Sequence, residues 1–221
     1  MDNAEILKHV DHTLLKAVSS WKEICILCEE AIRYQVAAVC IPPSYVKRVK
    51  DTYHEKLNIC TVIGFPLGYQ TTEVKVREAA QAVVEGADEV DMVINLGNVK
   101  DGNYKLVTHE IASVKEAIQQ HTLKVIIETC YLTQDEKVQL CQCVTEGGAD
   151  YIKTSTGFGS EGALLEDIIL FKKNIGPRVK IKAAGGVRSK KDMVRFIEAG
   201  CERIGTSSAV SILAGESGSG Y

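Results

Sequence analysis

No apolar run in this 221-residue chain approaches the roughly 20 residues that a membrane-spanning helix needs. A surplus of one charge is lacking as well. Lys and Arg number 26 against 29 Asp and Glu, and a net charge of -3 offers no basic face for nucleic acid or an anionic membrane. The opening MDNAEILKHVDHTLLK is polar and mixed in charge, so it reads as neither a signal nor a transit peptide, and the expected location is cytoplasmic. Zinc-site spacing is missing too. Cys25 and Cys28 form a CxxC and Cys141 and Cys143 lie close together, yet no second pair or His-x3-His follows at finger spacing, and His9 and His12 lack a third ligand. The eight cysteines therefore read as reduced, packed thiols, with no metal and no other cofactor expected.

What is present is ordinary globular composition, 45% hydrophobic and 25% charged, enough for one sizeable core. Short β-branched runs at 9–13, 36–41, 58–65, 89–95, 123–130, 150–155, 179–184 and 202–206 alternate with helix-like stretches. The helical stretches fall at 20–35, 72–85, 103–120, 134–146, 161–173 and 189–199, with a shorter one at 43–55. EGAD (85–88), EGGAD (146–150) and EAGC (198–201) supply the glycine expected just past a helix. Eight strands with intervening helices at this length predict an α/β chain with a single-domain (β/α)8 TIM barrel over 1–221, a short N-terminal helix and a flexible tail at about 214–221. An open doubly wound sheet is the alternative, weakened because no GxGxxG turn follows the first strand.

Two lysines stand out: Lys153 in YIKTSTGFG and Lys182 in VKIKAAGGVR, each in an apolar strand that runs into glycine. Burial disfavours an ammonium, and two ammoniums at one cavity repel, which favours the neutral amine that attacks carbonyls. In a barrel the strand ends share one mouth, so Asp11, Cys40, Asp91, Lys153 and Lys182 converge there. Lys180 shares a face with Lys182 but should sit lower. Asp91 and Lys182 also read as a structural ion pair, and Asp11 as a loop-ordering carboxylate. Glu128 and Cys130, near the fifth strand end, have no role assigned. GGVR (185–188), with Ser189 as N-cap, and GTSSAVSIL (205–213) put glycines, hydroxyls and Arg188 after strands seven and eight, where barrels hold phosphate.

VDHTLLK (10–16), AAVCIPP (37–43), VIGFPLG (62–68), EVDMVINLG (89–97), IKTSTGF (152–158), KAAGGVR (182–188) and IGTSS (204–208) occur in the order found in deoxyribose-phosphate aldolases, and the chain resembles that family over nearly its whole length. The resemblance implies class I cleavage of 2-deoxy-D-ribose 5-phosphate without a metal. It makes Lys153 the Schiff-base lysine and Asp91 with Lys182 the proton relay, Lys182 also disfavouring a second ammonium beside it. Asp11 and Cys40 fall near the substrate, and Thr156, Gly157, Gly185, Gly186, Arg188, Gly205, Ser207 and Ser208 fall at or beside the phosphate. Composition alone reads GESGSGY as a flexible end, whereas the resemblance brings Tyr221 to the mouth for proton transfer. Phe158 departs from members that carry a lysine there, which removes one phosphate contact. The resemblance also implies a phosphorylated sugar as partner and a homodimer as assembly. A related Schiff-base aldolase or transaldolase, a phosphate-binding isomerase using carboxylate acid and base, and a binding barrel without chemistry stand as alternatives.

Overall fold

The structure is a computed structural model that describes residues 1–213; segment 214–221, including Tyr221 and the expected flexible tail, lies outside the described residues. Eight parallel strands close into a barrel in chain order: β1 (Val10–Thr13), β2 (Ala38–Ile41), β3 (Ile59–Ile63), β4 (Glu89–Val93), β5 (Thr122–Ile126), β6 (Tyr151–Lys153), β7 (Lys180–Ala184) and β8 (Arg203–Thr206). β8 returns to β1 through Val10↔Ile204, Asp11↔Gly205 and His12↔Thr206, which excludes the open sheet. The expected N-terminal helix is present at Asn3–Leu7, with the Asp2 carboxylate accepting from Glu5 N at 2.8 Å.

Local sequence explains the helix limits. Ser20 and Glu23 close a reciprocal capping box before Trp21–Tyr34, and Thr133 and Glu136 do the same before Gln134–Glu146. Ser189 caps Lys190–Ala199 by accepting from Asp192 N at 3.1 Å, as its position predicts, and Gly200 ends that helix in the left-handed region. The CxxC lies within Trp21–Tyr34, and all eight cysteines are free thiols.

Strand parity divides the barrel into two environments. Val10, Val90, Met92, Leu123, Val125, Ile152, Ile181 and Ile204 join Ile111, Val114, Leu140, Ile168 and Phe171 of the helices in the main apolar layer. Each such burial contributes roughly 1.5–3 kcal/mol. The alternate residues form a second set. Ala38, Cys40, Cys60 and Val62 make a small apolar patch on β2 and β3, while Asp11, Glu89, Asp91, Lys124, Lys153 and Lys182 are buried charged groups.

Two expectations move at the mouth. The fifth and sixth strands stop at Ile126 and Lys153, short of 130 and 155, because the chains leave regular pairing there. Scattered bonds continue it, from Ile127 N to Lys153 O (3.1 Å), Thr129 N to Thr154 O (3.0 Å) and Thr154 N to Lys182 O (3.2 Å). The helix expected from 161 begins instead at Leu165. Residues before it lie against the end of β7: Ala163 N donates to Gly185 O at 3.1 Å, and a Cβ on Gly162 would stand 2.3 Å from the Gly185 carbonyl.

Gly162→Ala must therefore push two backbones apart. A loss of about 1–3 kcal/mol is expected from this overpacking. Urea unfolding of the variant beside the parent chain checks it.

Candidate active site

Asp91, at the centre of β4, is the hub of the barrel interior. Its Oδ2 accepts from Lys153 Nζ and Lys182 Nζ, each at 2.7 Å, and its Oδ1 accepts from Lys124 Nζ at 2.9 Å and the Cys60 thiol at 3.1 Å. Strand register makes this meeting possible, since Asp91 pairs with Lys124, Lys153 with Lys182, and Lys182 with Arg203. Lys182 and Arg203 each also bond Asp11. Arg203 grips Glu89 with both terminal nitrogens, at 2.7 and 3.1 Å, and Lys124 reaches Glu89 at 2.5 Å.

Burial alone would raise the Asp91 carboxyl, but Lys124, Lys153 and Lys182 outweigh it and hold the group well below the ordinary aspartate range. Asp11 is lowered in the same way, burial being outweighed by Lys182, Lys124 and Arg203. Lys182 does not follow burial toward the neutral form. Burial pushes it down, yet Asp11 and Asp91 outweigh that and raise it, so Lys182 is an ammonium. Lys124 is raised well above the ordinary range against its own burial penalty, chiefly by Asp91, with Asp11 and Glu89 adding to it.

The residues expected at the mouth occupy different depths. Lys153 and Lys182 are register partners, each the third residue of its strand and buried; β6 ends at Lys153, whereas β7 runs on to Ala184. Lys180 begins β7 at the opposite end and is exposed, which agrees with the choice of Lys182. Asp11 is the second residue of β1 and not its last, and both its oxygens are taken by cations. Cys40 pairs in register with Cys60, and both are fully buried.

A second feature lies where β6, β7 and β8 end. Gly157, Gly185, Gly186, Arg188, Gly205 and Ser207 line one small pocket of about 50 Å³ together with Val187 and Thr206. Gly185 and Gly186 both have positive φ (79° and 70°), a conformation that glycine alone adopts freely at two successive positions and that turns neighbouring N–H groups toward one side. Thr156 immediately precedes this pocket, and Ser208, whose N–H donates to Thr206 Oγ1 at 3.2 Å, follows it. Phe158 packs edge-on against Phe65 at 5.4 Å between centroids, so its position adds an apolar ring beside the pocket.

Cys40, Cys60 and Asp91, and likewise Asp11, Cys60 and Glu89, bring possible metal ligands within 4.8 Å of one another. The surrounding lysines already use these carboxylates, so a divalent ion would have to displace ammonium groups. The donor set does not fit a resident cation.

The family model for DeoC/LacD family aldolases matches residues 6–215. The chain belongs to that family. A deoxyribose-phosphate aldolase of Clostridium botulinum (strain Alaska E43 / Type E3) is 60% identical over 221 residues, 100% of each chain. The solved structure of QR15, an aldolase, has a TM-score of 0.91 at 40% identity and covers 96% of this chain and 95% of its own. The tetrameric deoxyribose phosphate aldolase of Aeropyrum pernix has a TM-score of 0.89 at 29% identity, covering 96% of this chain and 91% of its own. As a DeoC/LacD aldolase the chain is a lyase, and the general chemistry of its family runs through a lysine Schiff base.

Sequence inspection missed Lys124, Glu89, Arg203 and Cys60. Lys124 carried the signal that singled out Lys153 and Lys182, a lysine inside the apolar run LKVII. Glu89 and Arg203 open their strands, where a charge reads as solvent-facing.

Removing the hub charge takes the single carboxylate partner from buried Lys153 and one partner each from Lys124 and Lys182, so Asp91→Asn is expected to lose about 3–5 kcal/mol. Both aspartates are lowered in the folded state, so their stabilisation is present above the unfolded aspartate range and is lost as pH falls through the folded values. Urea unfolding of the parent chain should therefore weaken below about pH 4, with a shallower pH slope in Asp91→Asn.

Proposed function

We propose that this chain reversibly cleaves 2-deoxy-D-ribose 5-phosphate to D-glyceraldehyde 3-phosphate and acetaldehyde, with Lys153 as the Schiff-base nucleophile. The observation that carries this reading is the Lys153–Asp91–Lys182 contact, with the strands of both lysines running into the glycine-rich pocket. The 60% identical C. botulinum aldolase supports the choice of substrate.

The charges support the choice of lysine. Lys124, Lys153, Lys182 and Arg203 face Asp11, Glu89 and Asp91, so the cations outnumber the carboxylates by one. Lys182 has two carboxylate partners and Lys124 has three, while Lys153 has Asp91 alone. Lys153 is thus the least compensated amine, and it stands at the strand end.

Its neutral Nζ attacks C1 of the open-chain sugar, and loss of water from the carbinolamine gives an iminium. Asp91, acting through water and supported by the Lys182 ammonium, takes the C3 hydroxyl proton. The C2–C3 electron pair moves toward the iminium, glyceraldehyde 3-phosphate leaves, and an enamine of two carbons remains. Protonation at C2 and hydrolysis release acetaldehyde and regenerate the amine. Tyr221 lies outside the described residues, and its assignment to the C2 proton transfer rests on the resemblance alone. Asp11 orders Lys182, Cys40 lines the wall beside Asp91, and Gly157, Gly185, Gly186, Arg188, Gly205, Ser207 and Ser208 receive the phosphate, with Thr156 beside them. Backbone N–H groups and Arg188 carry that contact in place of a lysine at Phe158.

The same reading takes 1–221 as one domain acting in the cytoplasm as a homodimer. Among the described residues no helix is long and apolar enough to cross a membrane.

Purified chain should form glyceraldehyde 3-phosphate from 2-deoxyribose 5-phosphate at a rate that EDTA does not alter. Lys153→Arg should lower kcat at least about 1,000-fold, and Arg188→Ala should raise KM about 10-fold. A rate that EDTA abolishes, or that survives in Lys153→Arg, contradicts the proposal.

A further inference from the structure

Glu128 belongs to neither the ion cluster nor the pocket lining, yet its surroundings are unusual. It follows β5 at the barrel mouth, is 3% exposed, and holds φ at +53°, a left-handed conformation that costs a residue with a Cβ about 1 kcal/mol. A carboxyl in such a place is expensive twice over, through strain and through lost solvation. Burial pushes it up, while the Thr156 donors act in the opposite direction.

Its bonds run in one direction. Oε2 accepts from the Thr156 hydroxyl at 2.5 Å, and Oε1 accepts from Thr156 N at 3.1 Å. The same hydroxyl oxygen then accepts from Phe158 N at 3.0 Å. This chain of bonds spans Gly157, which lines the pocket, and begins three residues beyond Lys153. On the other side the carboxylate is walled by Gly159, where a Cβ would come 3.1 Å from Oε1 and 2.9 Å from Cys130 Sγ. Glu128 is therefore held in place by its own backbone, by Thr156 and by a glycine that leaves it room.

We propose that Glu128 is a positioning residue for substrate discrimination: through Thr156 and Phe158 N it fixes the 156–158 backbone so that Gly157 completes the phosphate pocket. This rests on the reading of that pocket as the phosphate site. Glu128 does not touch the reacting atoms. It acts on the ratio between a substrate that carries phosphate and one that does not, because only the first uses Gly157 as a ligand.

The test compares kcat/KM for 2-deoxyribose 5-phosphate and for 2-deoxyribose in the parent chain, Glu128→Gln, Glu128→Ala, Thr156→Ser, Thr156→Val and the Glu128→Gln/Thr156→Val pair. Both substrates should slow in Glu128→Ala and Thr156→Val, but the phosphorylated one by about 10-fold more, mainly through KM. Thr156→Ser, which keeps the hydroxyl, should retain most of the discrimination. The double variant should be no worse than Thr156→Val, since both changes break one chain of bonds. Equal loss on both substrates, unchanged discrimination, or additive effects in the double variant would overturn the proposal. If Glu128→Ala does not fold, Glu128→Gln, whose amide keeps one acceptor for the two Thr156 donors, should show a smaller loss in the same ratio, and no loss in it would overturn the proposal. A parent chain with no preference for the phosphorylated sugar would instead defeat the phosphate reading itself, so the two failures are distinguishable.

Discussion

Everything inside this barrel is arranged around one carboxylate. Asp91 takes bonds from Lys124, Lys153, Lys182 and Cys60, so four strands other than its own aim a side chain at its two oxygens. A buried cluster of this kind is a poor source of stability compared with apolar packing, and it is intolerant of losing a member. The outer apolar layer between strands and helices supplies the stability instead. The interior is thereby free to hold charge where chemistry needs it.

The number of carboxylate partners within the cluster separates roles that the residue types alone do not. Arg203 pairs with Glu89 and Asp11, and Asp11 spends its oxygens on Lys182 and Arg203. Lys182 is thereby kept charged, and Lys153 is left with a single carboxylate at the end of its strand. The apolar patch of Ala38, Cys40, Cys60 and Val62 closes the other side, where no cation is needed. Two amines of the same kind, partners in register, so acquire different tasks.

The barrel was legible because eight strand runs alternate with seven helix-like stretches and because glycines mark several helix ends, as at Gly200. Lys153, Lys182 and Asp91 were legible because a charge inside an apolar strand needs a partner. Lys124 obeyed the same rule and was overlooked because LKVIIETC leads into no glycine-rich turn. Register, which sequence does not display, is what puts Lys124 opposite Asp91. The start of the helix at Leu165 was likewise hidden, since it depends on Gly162 meeting the Gly185 backbone across two loops. Glu128 attracted notice only by its place near a strand end. Its positive φ and its bond to Thr156 exist only in three dimensions.

The central claim is that the network leaves Lys153, and not Lys124 or Lys182, as the reactive amine. Intact mass and peptide mapping after incubation with acetaldehyde and sodium borohydride test it most directly. The account predicts one reduced ethyl group per chain, on the peptide that contains Lys153, and none in Lys153→Ala. An ethyl group on Lys182 or Lys124, or no adduct on well-folded protein, would contradict it.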